Sequence, residues 1–295
     1  MANDKISLNA LIEEAEAAKL SLNAYLLPRS AAELEITEEE LLAKMVQMLQ
    51  VMEEAAAYGL TGVRSHSGLT GGSALKLQNA AAQPGFNKLL GALATDAVTY
   101  ALAVSECNAA MGRIVAAPTA GAAGVLPGVL LALKKHCNLT EEQLARALVV
   151  AGQIGLVIAA RASLAGAVGG CQAECGSAAA MAAGAAVDAL GGTPAQAGTA
   201  VSIVFKNMLG LVCDPVAGLV EVPCIKRNGG AAVQALLAAE MALAGIGSFI
   251  PADEAIDAMK WVGDSMPCAL RETAGGGLAQ TPTALAWAKA WFERE

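Results

Sequence analysis

The amino-acid sequence predicts an all-α fold, a compact helical domain in which glycine-rich loops converge on one site. Apolar residues recur at helical spacing behind capping residues, and no long alternating or Val/Ile-rich run predicts a β-strand. The composition agrees with this prediction. Hydrophobic residues make up 55% of the chain, and many are small residues that let helices approach closely.

The first sixty residues carry the clearest amphipathic helices. Ser7 is predicted to cap a helix that runs to about residue 20, and Pro28 is predicted to end the next short segment. Thr37 and Glu40 have the spacing of a capping box and predict a helix to about residue 58. The predicted buried stripes are Leu8, Leu11, Ile12 and Ala15 in the first helix, and Leu41, Met45, Met48, Leu49 and Met52 in the last.

Further helices are predicted at about 86–112, 140–160, 171–190, 195–211, 229–245, 252–262 and 281–293. The apolar stretches 124–133 and 147–160 are shorter than the roughly 18–20 residues of a membrane span, so both are interpreted as buried core helices. No linker or repeat divides the chain. We therefore predict one helical domain over 1–295, with amphipathic helices in 1–60 and the site-bearing core in 61–295.

The net charge of −8 argues against binding to nucleic acids, which favours a basic surface, and gives no support for attraction to anionic membranes. The acidic start of the chain has no apolar signal core. Seven cysteines, an odd number, are poor evidence for a disulfide framework. Together these observations predict a cytoplasmic protein with free thiols.

Three of the cysteines lie where a helix starts or breaks. Cys171 follows two glycines, Cys213 precedes an Asp-Pro pair, and Cys224 follows a proline. Backbone N–H groups at such points stabilise thiolates, which are the metal-binding form of cysteine. The other four, Cys107, Cys137, Cys175 and Cys268, lie in ordinary helical or turn contexts and are interpreted as structural.

Spacing alone leaves the role of the three cysteines open. Zinc sites usually contain C-x2-C pairs, and the sequence has none. An iron–sulfur cluster tolerates wide spacing because loops from different helices can converge on it. Buried thiols without a metal are the competing interpretation.

Several long motifs follow one another along the chain, namely SGLTGG, NAAMGRIVAAPTAGAAGVLPG, GGCQAECGSAAAMAAGA, NMLGLVCDPVAGLVEVPCIKRN and MPCALRETAGGGLAQTPT. Together and in this order they resemble the alpha subunit of the iron–sulfur-dependent L-serine dehydratases (L-serine ammonia-lyases), and the resemblance covers about residues 35–285. It implies a 4Fe-4S cluster bound by Cys171, Cys213 and Cys224, whereas Cys175 stands where relatives often have another residue. One iron would keep an open coordination position that activates the hydroxyl of L-serine. Elimination of that hydroxyl leads to pyruvate and ammonia.

The glycine-rich loop SHSGLTGG suits binding of the substrate carboxylate, because its hydroxyls can donate and its glycines allow close backbone approach. A solvated turn is the competing interpretation. The predicted substrate-binding residues are Ser67, Gly68, Thr70, Gly71 and Gly72 here, and Asn108, Arg113 and Thr119 in the next glycine-rich segment. Asp214, Glu174 and Arg271 are predicted to orient their neighbours.

The general base is the least determined part of the prediction. His66 and Lys76 are the candidate catalytic residues, because both lie in or near the predicted carboxylate loop. The resemblance also implies a separate beta subunit that supplies missing groups, and hence an oligomer. A related L-cysteine desulfidase, or a non-catalytic helical scaffold with buried thiols, are the alternatives that the sequence leaves open.

Overall fold

The computed structural model describes residues 6–293, and this part of the chain is all α-helical, as predicted. Its β-structure is limited to two isolated bridges, Arg64 with Gly71 and Cys213 with Arg271. The α-helices are α1 (Leu8–Ala17), α2 (Leu22–Glu33), α3 (Glu38–Gly59), α4 (Ser73–Ala82), α5 (Gly91–Ala109), α6 (Val125–Cys137), α7 (Glu141–Arg161), α8 (Gly166–Gly169), α9 (Cys171–Ala189), α10 (Pro194–Met208), α11 (Cys224–Leu243), α12 (Ala252–Ser265) and α13 (Pro282–Phe292). Short 3-10 turns lie at Val216–Gly218, Cys268–Leu270 and Gly277–Gln280.

Helix α9 lies at the centre of the molecule and packs against α6, α7, α10 and α11. It is built mainly from Ala, Gly and Ser, so neighbouring helices approach it closely on all sides. Every residue of α9 except Glu174 and Ala189 is buried. The exposed polar face of an ordinary surface helix is therefore missing, and Glu174 is the partly buried residue near the N-terminus of α9.

The N-terminal helices confirm most of the predicted pattern. Ser7 caps α1, the predicted stripe of α1 is buried, and Thr37 and Glu40 form the capping box of α3. Met48 is the exception, because its side chain is 42% exposed while Leu49 is fully buried. The prediction for Met48 was wrong since the packed face of α3 is narrower than its apolar stripe.

Pro28 does not end a helix, contrary to the prediction, but lies inside α2. A proline in a helix interior costs about 3 kcal/mol. Leu26 and Leu27 just before it are buried, and burial of such a side chain contributes about 2 kcal/mol each. After it, Ser30 accepts a hydrogen bond from Gln153 of α7. Packing on both sides of Pro28 therefore outweighs the lost backbone hydrogen bond.

The two apolar stretches form α6 and α7, and both are core helices, as predicted. Within residues 6–293, α7 alone is long and apolar enough to cross a membrane by length and composition, and 67% of its most apolar window is buried against other helices. Helix α11 begins at Cys224, earlier than predicted. The predicted division into 1–60 and 61–295 stays a prediction.

Candidate metal centre

Cys171 is the first residue of α9, and two glycines bring the chain to it. Gly170 has a φ of +76°, and a Cβ added there would lie 2.8 Å from the carbonyl oxygen of Leu211. Only glycine fits this turn without strain. The Gln172 side chain then links the helix start to its surroundings, because it accepts from Gly210 N–H and donates to the carbonyl of Met259.

Cys213 lies in an extended segment after α10 and pairs with the segment around Arg271. Its N–H donates to Leu270 at 2.9 Å, and its carbonyl accepts from Glu272 at 2.7 Å. The next residue, Asp214, accepts a 2.7 Å hydrogen bond from Leu278 N–H. The segment 270–278 therefore supports Cys213 from one side, which explains its presence among the sequence motifs.

Cys224 is the first residue of α11 and is joined to the glycine-rich segment before α6 by Asn228. The Asn228 amide donates to the carbonyls of Cys224 and Gly121, and its oxygen accepts from Gly124 N–H at 3.0 Å. Asn228 is fully buried. The amide therefore satisfies three backbone groups and holds residues 121–124 against the start of α11.

The three segments bring their thiols together in a region that we call the cysteine centre, formed by Cys171, Cys213, Cys224, Cys175 and Glu174. All four thiols are buried. The sulfur atoms of Cys171 and Cys213 and a carboxylate oxygen of Glu174 all lie within 4.8 Å of one another. Cys175 was predicted to be structural, and its neighbour Cys171 raises the pKa of its thiol.

A glycine lets the backbone approach these groups closely. A Cβ added at Gly166 would lie 3.0 Å from the Cys213 sulfur and 3.5 Å from carboxylate oxygens of Glu174 and Glu272. A side chain at position 166 would therefore crowd the Cys213 sulfur, and glycine allows the backbone to pack against the sulfur and carboxylate groups.

The protein's own groups favour ionisation of one thiol in this set. Hydrogen bonds from Cys175 and Cys213, followed by the charge of Arg227, lower the pKa of Cys171 to about 3. The hydrogen bond to Cys171 raises the pKa of Cys213, and burial raises that of Cys224 to about 12. Because thiols bind metals as thiolates, a metal cation is the group that would ionise the other two. The donor set therefore fits a thiolate-bound metal.

Glu174 is held in the cysteine centre by two neighbours. The Thr119 hydroxyl donates to Glu174 Oε1 at 2.6 Å, and Gly121 makes room, since a Cβ there would lie 2.5 Å from that oxygen. Burial raises the pKa of Glu174 to about 7, although the hydrogen bond from Thr119 opposes the rise. Of the predicted substrate-binding residues, Thr119 is thus the one that reaches the cysteine centre.

One carboxylate links residues 65–72, which we call the 65–72 loop, to the segment that carries Cys213 and Cys224. Ser67 and Thr70 donate to the two carboxylate oxygens of Glu221 at 2.8 and 2.7 Å. Glu221 is buried, and in the sequence it lies between Cys213 and Cys224. Positive φ angles at Gly68, Gly71 and Gly72 shape the loop. Its hydroxyls therefore already have an acceptor in the protein.

The predicted catalytic residues are both exposed, His66 in this loop and Lys76 just after it. The His66 ring is exposed and contacts Trp291 of α13 edge to face, with 5.9 Å between ring centroids. Lys76 is exposed on α4, whose first N–H groups are capped by the buried carboxylate of Glu106. In residues 6–293, neither side chain contacts a thiol of the cysteine centre.

Asn108 and Arg113 support the neighbouring segment. The Asn108 amide donates to the carbonyl of Ala120, and the Arg113 carbonyl accepts from the Cys107 thiol, while the Arg113 side chain is exposed. Arg271, predicted to orient its neighbours, donates to the carbonyl of Met266 at 2.7 Å.

Sequence reasoning missed Arg227, Asn228, Glu221 and Glu272. Arg227 and Asn228 had a usable signal, because they follow Cys224 by three and four residues and so share its face of α11. Glu221 and Glu272 had no such signal in the sequence, because their partners are distant along the chain.

The fold and the cysteine centre define a class of all-α protein with a buried thiol site suited to a metal. A family model described as serine dehydratase alpha chain matches residues 4–279. The chain belongs to this family.

Three relatives illustrate the family relationship. The probable L-serine dehydratase alpha chain of Bacillus subtilis is 58% identical over 86% of this chain and 85% of its own length. The L-serine dehydratase alpha chain of Peptoniphilus asaccharolyticus is 44% identical over 84% of each chain. The L-serine dehydratase of Streptomyces coelicolor is longer, and its 42% identity covers 91% of this chain and 59% of the relative.

Proposed function

We propose that this protein is the alpha chain of an iron–sulfur-dependent L-serine dehydratase, which converts L-serine into pyruvate and ammonia. The observation that carries the proposal is the cysteine centre, in which the Cys171 and Cys213 thiols meet the Glu174 carboxylate and the buried Cys224 thiol lies close enough to interact with Cys171 through charge. The names of the relatives support the substrate and the reaction.

Cys171, Cys213 and Cys224 would hold a 4Fe-4S cluster. When bound, such a cluster supplies an iron with an open position that acts as a Lewis acid on the serine hydroxyl. The three segments around the cysteines orient the thiols before any ligand enters, because Gln172, Asn228 and residues 270–278 hold them. Burial of the thiols excludes water from their side of the site.

The proposed substrate site lies between the cysteine centre and the 65–72 loop. Ser67 and Thr70, with the backbone of Gly68, Gly71 and Gly72, would receive the substrate carboxylate. It would compete with Glu221 for the two hydroxyls. Asn108 and Arg113 are further proposed substrate-binding residues of this site. Thr119 orients the carboxyl group of Glu174, which can hold a proton at Oε1 or Oε2 beside the thiols.

His66 and Lys76 remain the proposed acid–base residues for removal of the α-proton. Both are exposed, so they would act only once the substrate and a partner surface enclose them. A beta chain is the proposed partner, and the naming of relatives as alpha chains supports it. Met111, 87% exposed beside the glycine-rich segment, would suit such an interface. We propose a cytoplasmic location, where thiols stay reduced.

The test is anaerobic reconstitution with iron and sulfide, followed by assays for pyruvate from L-serine and from L-cysteine, with and without a beta chain. We expect a bound four-iron cluster and turnover of L-serine. Faster turnover of L-cysteine with release of sulfide would indicate a desulfidase instead. Failure to bind iron under anaerobic conditions would indicate a helical scaffold with buried thiols.

A further inference from the structure

One guanidinium group contacts the segments of all three cysteines. Arg227 lies in the first turn of α11, three residues after Cys224. Its Nη1 donates to the Cys171 sulfur at 3.4 Å and to the carbonyl of Val212 at 2.8 Å. Its Nη2 lies 2.8 Å from Oδ1 of Asp214. Val212 and Asp214 flank Cys213, so Arg227 joins the three segments at one point.

The Arg227 side chain is held in this position from two sides. It is 17% exposed, and the carboxylate of Asp214 that pairs with it is 3% exposed. Asp214 is itself fixed by the N–H of Leu278. Pairing offsets the cost of burying both charges. A guanidinium group is required here, because its two terminal nitrogens make separate contacts that the single ammonium group of a lysine cannot make together.

We propose that Arg227 is a positioning residue that holds Cys171 in place and raises the reduction potential of the metal cluster bound there. The inference rests on the proposed function, in which Cys171 is a cluster ligand. Hydrogen bonds and positive charge at a ligand sulfur stabilise the more negative, reduced form of a cluster. Groups that orient metal ligands also slow loss of the metal.

The test compares Arg227→Gln, Arg227→Lys and a matched control, Lys226→Gln. Lys226 is the neighbouring residue and is exposed, so the control removes the same charge outside the cysteine centre. Each full-length chain is reconstituted anaerobically. The cluster potential is then measured by a dye-mediated titration followed by electron paramagnetic resonance, and iron loss is measured with a chelator.

We expect a lower potential and about tenfold faster iron loss in Arg227→Gln, values in between for Arg227→Lys, and unchanged values for Lys226→Gln. Arg227→Gln and Arg227→Lys variants that match the control in both measurements would overturn the inference. Circular dichroism checks folding. If Arg227→Gln does not fold, Arg227→Lys decides alone, and wild-type values overturn the inference. If the wild-type chain binds no cluster, the proposed function fails first and the inference falls with it.

Discussion

The cysteine centre and the 65–72 loop are neighbouring regions that the protein holds in different ways. The cysteine centre is buried, and the side chains of Gln172, Asn228 and Arg227 tie its segments together. The loop is tied to the rest of the site by the two oxygens of Glu221, and its histidine is exposed against Trp291 of α13.

This difference suits the two tasks in the proposed function. A metal site requires ligands that keep their geometry, and several independent contacts provide that rigidity. A substrate loop must admit and release a small molecule, and loops with few buried contacts open more readily. The contrast can be tested from each side, and the expected effects differ in size.

The largest effect is expected at the cysteine centre. Replacing Cys171, Cys213 or Cys224 by Ser should abolish both iron binding and activity, because each thiol comes from a different segment of the chain. Iron content and pyruvate formation after anaerobic reconstitution measure this. Cys137→Ser, in α6, is the control and should keep both. Equal loss in all four variants would indicate a folding defect rather than a metal site.

The next effect is expected at the tie between the two regions. Glu221→Gln should lower KM for L-serine about tenfold, because weakening the charge-assisted hydrogen bonds from Ser67 and Thr70 by about 1.4 kcal/mol frees both hydroxyls for the substrate carboxylate. Iron content should not change. Steady-state kinetics on reconstituted enzyme provide the measurement, with Glu54→Gln, an exposed residue of α3, as the control. A higher KM would contradict the expectation and indicate that Glu221 positions the two hydroxyls for the substrate.

The third effect concerns the free energy of unfolding and depends on Glu174 in the cysteine centre. The pKa of Glu174 is raised from 4.5 to about 7, so the folded state holds this proton more tightly than the unfolded state. Its ionisation should therefore cost stability as pH rises from about 4.5 to 7, by about 3 kcal/mol at pH 8.

Glu174→Gln should remove this cost. Without iron and under reducing conditions, the variant should be more stable than wild type at pH 8, and the difference should vanish at pH 4. Urea unfolding at both pH values measures it. A difference that does not depend on pH would contradict the assigned cause.

The smallest effect is expected at the exposed end of the loop. Trp291→Leu should raise KM for L-serine about threefold, because an edge-to-face aromatic contact such as that with His66 contributes about 0.5–1.5 kcal/mol. Trp261→Leu, which changes an exposed tryptophan on α12, is the matched control. Equal kinetics in the two variants would show that α13 does not support the loop.

The sequence predicted the fold well where the signals were local. Ser7, Thr37 and Thr140 cap α1, α3 and α7 through residues three positions away, and such signals depend on neighbours in the chain. The predictions failed at Pro28 and Met48. At Pro28 the contact of Ser30 with Gln153 of α7 helped to decide the outcome, and at Met48 the width of the packed face of α3 decided it; local periodicity encodes neither.

The candidate site shows the same division. The three predicted cysteines were recognisable because each lies at a helix start or chain break and in a family motif. The contributions of Cys175 and Glu221 were not recognisable. Cys175 has the context of an ordinary buried helix residue, and Glu221 meets its partners 151 and 154 positions away.

The sequence by itself determined the helices, their caps and the identity of the three candidate ligands, because these depend on residues within one or two turns of each other. Only the tertiary structure decided that Glu174 and Cys175 join the thiols and that Arg227 reaches a sulfur 56 positions away. Such pairings follow from how helices of small residues pack around α9, and packing is a property of the whole chain.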